Sequence, residues 1–486
     1  MKPRSLRAAA LEFAILPDQG GPTSGKTGAT VREVAGPLRT TMLLLEEGGE
    51  RLCLVSTHFN QPKACNLSPL LRGIVAAELG LPPSRILLFV SHNHTDTQLA
   101  ENQVEAYAAL SLPPEELPEP VLLPVGEEMV ARLREGARRL RERLQNVTVS
   151  WTLGREGRIT YNRKGRRADG NTYLMREEDR EVVGADFNVD IYREALLVLL
   201  KNDGGEVVAA IVQFTGHPVS CYHPEKPVVF GDWPQVACEI VGKALAPDNP
   251  PPVAFLQGCA ADVNAKGMFR GGVDLSRKFG EMLAGSYLEA LPRLRPSARG
   301  GFDYAVETVG IPLAPLPDAA ALEAEIAEME DFIRRAADGD EDTLACVGLN
   351  FPRELTPAYR GKLVEGVLPW SRWALERHRR GEADAVARSL PTELYVLRLG
   401  DVAIVGMPFE PFQGIGRRMR AASPLPLMVP CGYVNNSYGY LTDGSNTGDG
   451  EYMSAHYRYS RFRPPYATPA GDVLAIRAVE TLRRFV

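Results

Sequence analysis

Paired cysteines are missing from this sequence. Its seven cysteines, at positions 53, 65, 221, 238, 259, 346 and 431, are odd in number and never stand at C-x-x-C spacing. That removes the zinc ribbon and the redox pair; scattered thiols of this kind serve as small hydrophobes in a reducing compartment. A basic excess is missing too. The formal net charge is -6, the wrong sign for a surface that meets nucleic-acid phosphates. The basic clusters around Arg138 and Arg379 have acidic neighbours and read as solvated helix faces. No apolar run approaches the roughly 20 residues that a membrane span requires. Lys2, Arg4 and Arg7 precede an apolar stretch, but Glu12 interrupts it and no small-residue cleavage site follows. No signal peptide is therefore predicted, and a cytoplasmic location is expected. Neither a GxGxxG after a first strand, a Walker loop nor a GxSxG elbow occurs. Dinucleotide, nucleotide and serine-hydrolase chemistry lose their usual support.

What remains has the composition of an ordinary globular enzyme, 44% hydrophobic and 24% charged over 486 residues. Short apolar runs predict strands at 51–57, 85–90, 195–200, 207–214, 253–256 and 402–405. Amphipathic patterns predict a helix from Ser68-Pro69 to Gly80, a second over about 127–144 and a last over about 472–485. Another, capped by Asp318, carries Leu322, Ile326, Met329, Ile333 and Ala336 on one stripe. Gly-rich links at Glu47-Gly48-Gly49 and Asp203-Gly204-Gly205 add antiparallel hairpins. The sum is an α/β fold, a mixed β-sheet core with surrounding helices, in a single domain over residues 1–486. A helical block at about 318–390 interrupts it, either as a lid or as a packed excursion.

Chemistry gathers where strands end. His92-Asn93-His94 follows the strand at 85–90 directly, and alternate residues of an extended segment face one side, so both imidazoles can reach one pocket. Alone, an H-x-H is equally a polar loop. His217-Pro218 follows the strand at 207–214, with Asp232 a little downstream, placed either to orient a ligand imidazole or, the preferred reading, to cap a helix. His223, in a Pro-rich loop, reads as surface. Glu410 follows the strand at 402–405 after a Gly and a Pro; by itself it is an exposed loop acid. The three cases share one grammar of apolar strand, abrupt turn and ligand-type side chain, the way open α/β sheets build sites.

In this order and at these distances, the blocks resemble the neutral/alkaline non-lysosomal ceramidase family. The matching segments are His92-Asn93-His94, His217-Pro218 with Gly231-Asp232, Gly406 to Glu410, and Asn436 to Thr442, within about residues 8–470. The resemblance implies one zinc ion per chain, held by His92, His217, Glu410 and Tyr440. It implies His94 as base or substrate contact, Tyr457 as support for the developing oxyanion and Arg163 as a residue facing substrate. Asp96 and Asn264 are expected beside the substrate, at positions where the sequence departs from the family. Asn264 replaces the family's Ser, and the glycines after the His-x-His are lost. The family's C-terminal β-domain is expected to be missing.

The expected activity is a zinc-dependent hydrolase that cleaves an amide bond of an N-acyl substrate by metal-activated water, on a small and more polar amide rather than ceramide. An esterase or lactonase using the same site, and a non-catalytic metal-binding relative, are the alternatives. Asp96 and Asp232 near two histidines would also suit manganese or a second ion. The expected partner is a small-molecule amide or ester, with no nucleic acid and no membrane span; homo-oligomerisation stays open.

Overall fold

The structure, a computed structural model, describes residues 5–23, 30–104, 117–166, 172–175, 177, 191–444, 458, 463–467 and 469–486. Nine strands form a large sheet: β1 (Arg7–Ile15), β2 (Leu38–Glu47), β3 (Glu50–Thr57), β4 (Ile86–Val90), β5 (Gln145–Arg155), β6 (Glu194–Asn202), β7 (Val207–Phe214), β8 (Val253–Gln257) and the short β9 (Arg295–Pro296). Their spatial order is β8-β7-β6-β5-β1-β2-β3-β4, with β9 beside β5. A second sheet holds β10 (Phe302–Pro312), β11 (Ser389–Leu399), β12 (Val402–Gly406) and β13 (Leu427–Cys431), in that order. The mixed α/β character expected from the sequence is therefore present, but split between two stacked sheets.

Strand periodicity explains the stacking. Successive side chains of a strand point to opposite faces, so a strand that is apolar throughout must be covered twice. In β6, Leu196, Val198 and Leu200 enter the core between the sheets, while Leu197 and Leu199 enter the core beneath outer helices. Leu54, Phe89 and Ile211 of the large sheet meet Leu397, Ile404 and Val429 of the small one in that central layer.

Helices cover both outer faces. α1 (Leu67–Leu79) and α2 (Pro124–Glu142) bury Leu71, Val75, Met129 and Leu133 against Met42, Leu44 and Val55. α3 (Asp232–Leu245) and α4 (Gly272–Leu288) bury Trp233, Val241 and Leu283 against Leu197, Val212 and Phe255. Between β10 and β11 lie α5 (Ala319–Ala337) and α6 (Pro357–Arg379), which pack on each other through Met329, Phe332, Val364 and Val367. α7 (Gln413–Ala422) and α8 (Ala470–Arg483) cover the small sheet with Ile415, Met419, Leu474 and Ala478. Each such aliphatic side chain contributes roughly 1.5–3 kcal/mol when fully buried.

Local signals account for the element ends. Asp318 accepts from Ala321 N at 2.8 Å and so caps α5, worth about 1 kcal/mol. Gly80 closes α1 at φ 67°, a conformation that favours glycine. The expected hairpins join β2 to β3 and β6 to β7. All seven cysteines are buried and free. Among the described residues, no helix is long and apolar enough to cross a membrane.

Asp232 departs from its preferred reading. It is the first residue of α3 rather than its cap, at φ 49°. Its fully buried carboxylate accepts from Ser276 Oγ at 2.6 Å and from Trp233 N at 2.7 Å, which ties α3 to α4. It accepts from those groups rather than from a ligand imidazole. His223 is half-buried, with its Nδ1 accepting from Glu225 N at 3.2 Å.

Candidate metal centre and active site

Three parallel strand pairs organise the site. β3–β4, β7–β8 and β12–β13 are parallel, and each pair is bridged by one helix, α1, α3 and α7 respectively. Parallel strands need such a crossover, and it leaves their carboxyl ends on one side. His92 follows the end of β4, His217 the end of β7 and Glu410 the end of β12.

Each exit is shaped locally. His92 adopts φ 63°, which costs a non-glycine residue about 1–2 kcal/mol. Its ring stacks on Tyr433 at 4.2 Å, and the buried Asn93 locks the turn. The Asn93 amide donates to His58 O at 3.0 Å and to Phe230 O at 2.8 Å, while its Oδ1 accepts from Thr95 N and Thr95 Oγ1. Before His217, a Cβ on Gly216 would lie 2.6 Å from Thr160 Cγ2, so the chain passes too close for a side chain. Glu410 sits in a two-residue strand (Glu410–Pro411) paired in parallel with Tyr440–Leu441.

The side chains converge. Glu410 Oε2 lies 3.2 Å from His92 Nε2 and 3.4 Å from His217 Nε2. His94 Nε2 lies 3.2 Å from His92 Nε2, and one nitrogen from each of the three histidines falls within 4.8 Å of the others. Arg163 reaches across the cluster. It donates from Nε to Ala261 O at 2.8 Å and from Nη2 to Tyr440 Oη at 2.7 Å, and Nη2 stands 3.4 Å from His217 Nε2. Asn264 Oδ1 accepts from Arg163 Nη1 at 3.4 Å.

Burial sets the charge states. It depresses the imidazolium form of all three histidines. His94 is pushed down to about 3 by burial and then by His217. His92 is well below its usual value through burial and the Lys63 ammonium, and His217 is lowered by burial and Arg163. For Glu410, burial favours the neutral acid, but His92, His217 and Lys63 outweigh it and hold the carboxyl well below the usual range.

This donor set fits a cation. His217 Nδ1 lies 2.8 Å from Ala260 O, which places the ring proton there and leaves Nε2 with a lone pair. That lone pair faces an ionised carboxylate oxygen. Two electron-rich atoms in a buried site call for positive charge between them. Neutral imidazoles with a carboxylate are zinc-type ligands.

Of the residues singled out in the sequence, His92, His94, His217, Glu410, Tyr440, Arg163 and Asn264 come together here. Asp96 does not face the same space: its Oδ2 accepts from Asn60 N at 2.6 Å, and it lines a small cavity behind His94. Tyr457 lies outside the described residues. Residues not anticipated are Asn60, Lys63, Tyr222 and Tyr433. Asn60 Oδ1 and Lys63 Nζ stand 3.2 and 3.0 Å from His92 Nδ1. Their one sequence signal was position, in the loop leaving β3.

Beside the cluster opens a cavity of about 220 Å³. His94, Tyr161, Arg163, Tyr222 and Asn264 line its polar end. The rest of its lining comes from Met175, Glu177, residues 268–270 and residues 349–363, and is largely apolar.

No family model and no curated protein sequence matches the chain. Solved structures do. Neutral ceramidase from Pseudomonas aeruginosa superposes with a TM-score of 0.63 at 16% identity, over 99% of this chain and 75% of that one. A ceramidase complexed with C2 superposes with a TM-score of 0.68 at 15% identity, over 99% of this chain and 76% of that one. Backbone agreement across nearly the whole chain, at so low an identity, establishes architecture: this chain is built on the neutral ceramidase fold.

Proposed function

We propose that the protein is a zinc-dependent hydrolase that cleaves the amide bond of an N-acyl substrate. The observation that carries this reading is the meeting of His92, His217 and Glu410 at three strand exits, beside a cavity that His94 and Arg163 also line. The fold shared with ceramidases, whose name states action on ceramide, supports amide hydrolysis as the reaction class.

In this reading His92, His217, Glu410 and Tyr440 would hold the zinc. Zinc at such a site supplies a Lewis acid and water acidified to a pKa of about 7. His94 lines the cavity beside the cluster, with its Nε2 3.2 Å from His92 Nε2, a position from which an imidazole would accept a proton from water and return it to the leaving amine. Arg163 presents its guanidinium between Tyr440 and His217, where it stabilises negative charge developing on the carbonyl oxygen. A donor in that role contributes about 3 kcal/mol. Asn264 holds the guanidinium in place. Substrate filling the cavity beside the cluster would displace water from it, which would strengthen each of these interactions.

The test is elemental analysis of the untagged protein, with turnover of matched N-acyl amides and O-acyl esters before and after chelation. The expected result is about one zinc per chain and chelator-sensitive amide cleavage. Faster cleavage of the esters would move the activity to an esterase on the same residues, and metal without turnover of either would sink the hydrolase. His94→Ala separates the two roles open to that imidazole: zinc retained with activity lost makes it the base, and zinc lost makes it a ligand.

A further inference from the structure

The helical excursion between β10 and β11 does more than decorate the fold. The segment joining its two helices, with the first turns of α6, forms one wall of the cavity through Leu349, Phe351, Leu355, Tyr359 and Leu363. Met268 and Phe269, in the turn that precedes α4, also belong to the lining. The lip is charged: Arg270 lies 3.4 Å from Glu354 of the excursion and 3.7 Å from Glu177.

This wall is fixed in place. Thr356 Oγ1 donates to Glu225 Oε1 at 2.6 Å, and Thr356 N donates to Glu225 Oε2 at 3.1 Å. Trp370 Nε1 donates to Arg463 O at 2.8 Å, and the Arg458–Glu325 ion pair anchors α5. The apolar wall therefore belongs to the resting architecture and does not wait for a ligand to assemble it. Size is the second constraint. At about 220 Å³, the cavity is smaller than the roughly 300–1,000 Å³ typical of pockets for drug-sized ligands.

Resting on the hydrolase reading above, we infer that the excursion is the acyl-selectivity element of the site, and that it selects one short acyl chain or a single ring rather than a long lipid tail. The reacting carbonyl would lie at the polar end, near His94 and Arg163, with the acyl group running along Leu355 and Leu363. Leu363 is half-buried, so a larger side chain there can fill the cavity without entering the packed core.

The experiment compares wild type, Leu363→Trp and Leu355→Ala on an N-acetyl to N-palmitoyl amide series, read as kcat/KM. In parallel, binding of dansyl-labelled octanoate is titrated on metal-free protein, with circular dichroism as the folding control. Wild type is expected to prefer short acyl groups. Leu363→Trp should shift the preference shorter and weaken octanoate binding by about tenfold, the scale on which pockets discriminate a methylene or two. Leu355→Ala should shift it longer. A wild-type preference for N-palmitoyl, or an unchanged length profile and unchanged octanoate binding in both folded variants, overturns the inference. If wild type cleaves none of the series, the hydrolase reading falls; weakened octanoate binding in Leu363→Trp would then still support the excursion as the acyl wall.

Discussion

Glu410 and Tyr440 are register partners, directly opposite one another in a parallel two-residue pairing although 30 positions apart in sequence. Directly paired residues project to the same face of a sheet. The backbone ladder thus brings a carboxylate and a phenol to one point, and Arg163 donates to that phenol at 2.7 Å.

Tyr440→Phe removes the hydroxyl and leaves the pairing intact. The expected outcome is a folded protein with weakened zinc binding and kcat lowered about 10–100-fold, because the hydroxyl that would ligate zinc and that accepts from Arg163 is lost. Arg163→Lys should cost at least as much, since an ammonium cannot reproduce the guanidinium's simultaneous contacts to Ala261 O, Asn264 and Tyr440. Steady-state kinetics of both variants, at measured metal content, checks this. A wild-type rate in either variant would remove the residue it changes from the reaction.

His217→Ala and Glu410→Gln are each expected to drop bound zinc well below one per chain with the fold preserved. In each variant the facing pair loses one electron-rich partner. Inductively coupled plasma analysis, together with circular dichroism, is the measurement. Full zinc in both variants would place the metal elsewhere.

The two neighbours of His92 Nδ1 demand opposite tautomers. Asn60 Oδ1 accepts a hydrogen bond from a protonated Nδ1, whereas the Lys63 ammonium donates one to an unprotonated Nδ1. Only the first leaves Nε2 free as a ligand. Lys63→Met removes the competing donor and a buried positive charge, so zinc affinity should rise, by roughly tenfold on the scale of such charge interactions. Competition with a chromophoric chelator measures it. Weaker binding in the variant would mean that Lys63 supports the ligand set instead.

His58 is fully buried against Phe255, and burial pushes its pKa down to about 3 from 6.5. Between those values the unfolded chain binds a proton that the folded chain does not. Stability therefore falls as pH drops below 6.5, with a slope of up to about 1.4 kcal/mol per pH unit from this group. His58→Gln should flatten the slope by that amount between pH 6 and pH 5, whatever its cost at neutral pH. Urea midpoints at those pH values decide it, and parallel slopes in the two proteins would refute it.

Much of the fold was legible because strand and helix periods are local properties. The strands at 207–214 and 253–256, the helix ending at Gly80 and the Asp318 cap follow from alternation, turn chemistry and capping. The division into two sheets was not legible. Runs such as Ala195 to Leu200 are apolar on both faces and record that two covers are needed without saying what supplies them. The pairing of His92 with His94 was anticipated for a different reason from the one that holds. The segment is not extended at His92, whose left-handed backbone redirects the loop and still leaves the two Nε2 atoms 3.2 Å apart.

The sequence by itself determined the strand-exit grammar: an apolar strand, a sharp turn, then an imidazole or carboxylate, three times over. Tertiary structure alone decided that the three exits meet. Convergence depends on three helix-bridged parallel pairs lying in two sheets that stack face to face, a relation between strands more than 300 residues apart. Tertiary structure likewise placed Asp96 behind His94, gave Asp232 to the α3–α4 contact, and set Lys63 against His92. A side chain's partners across a core depend on packing between distant segments, and no local pattern of residues carries that information.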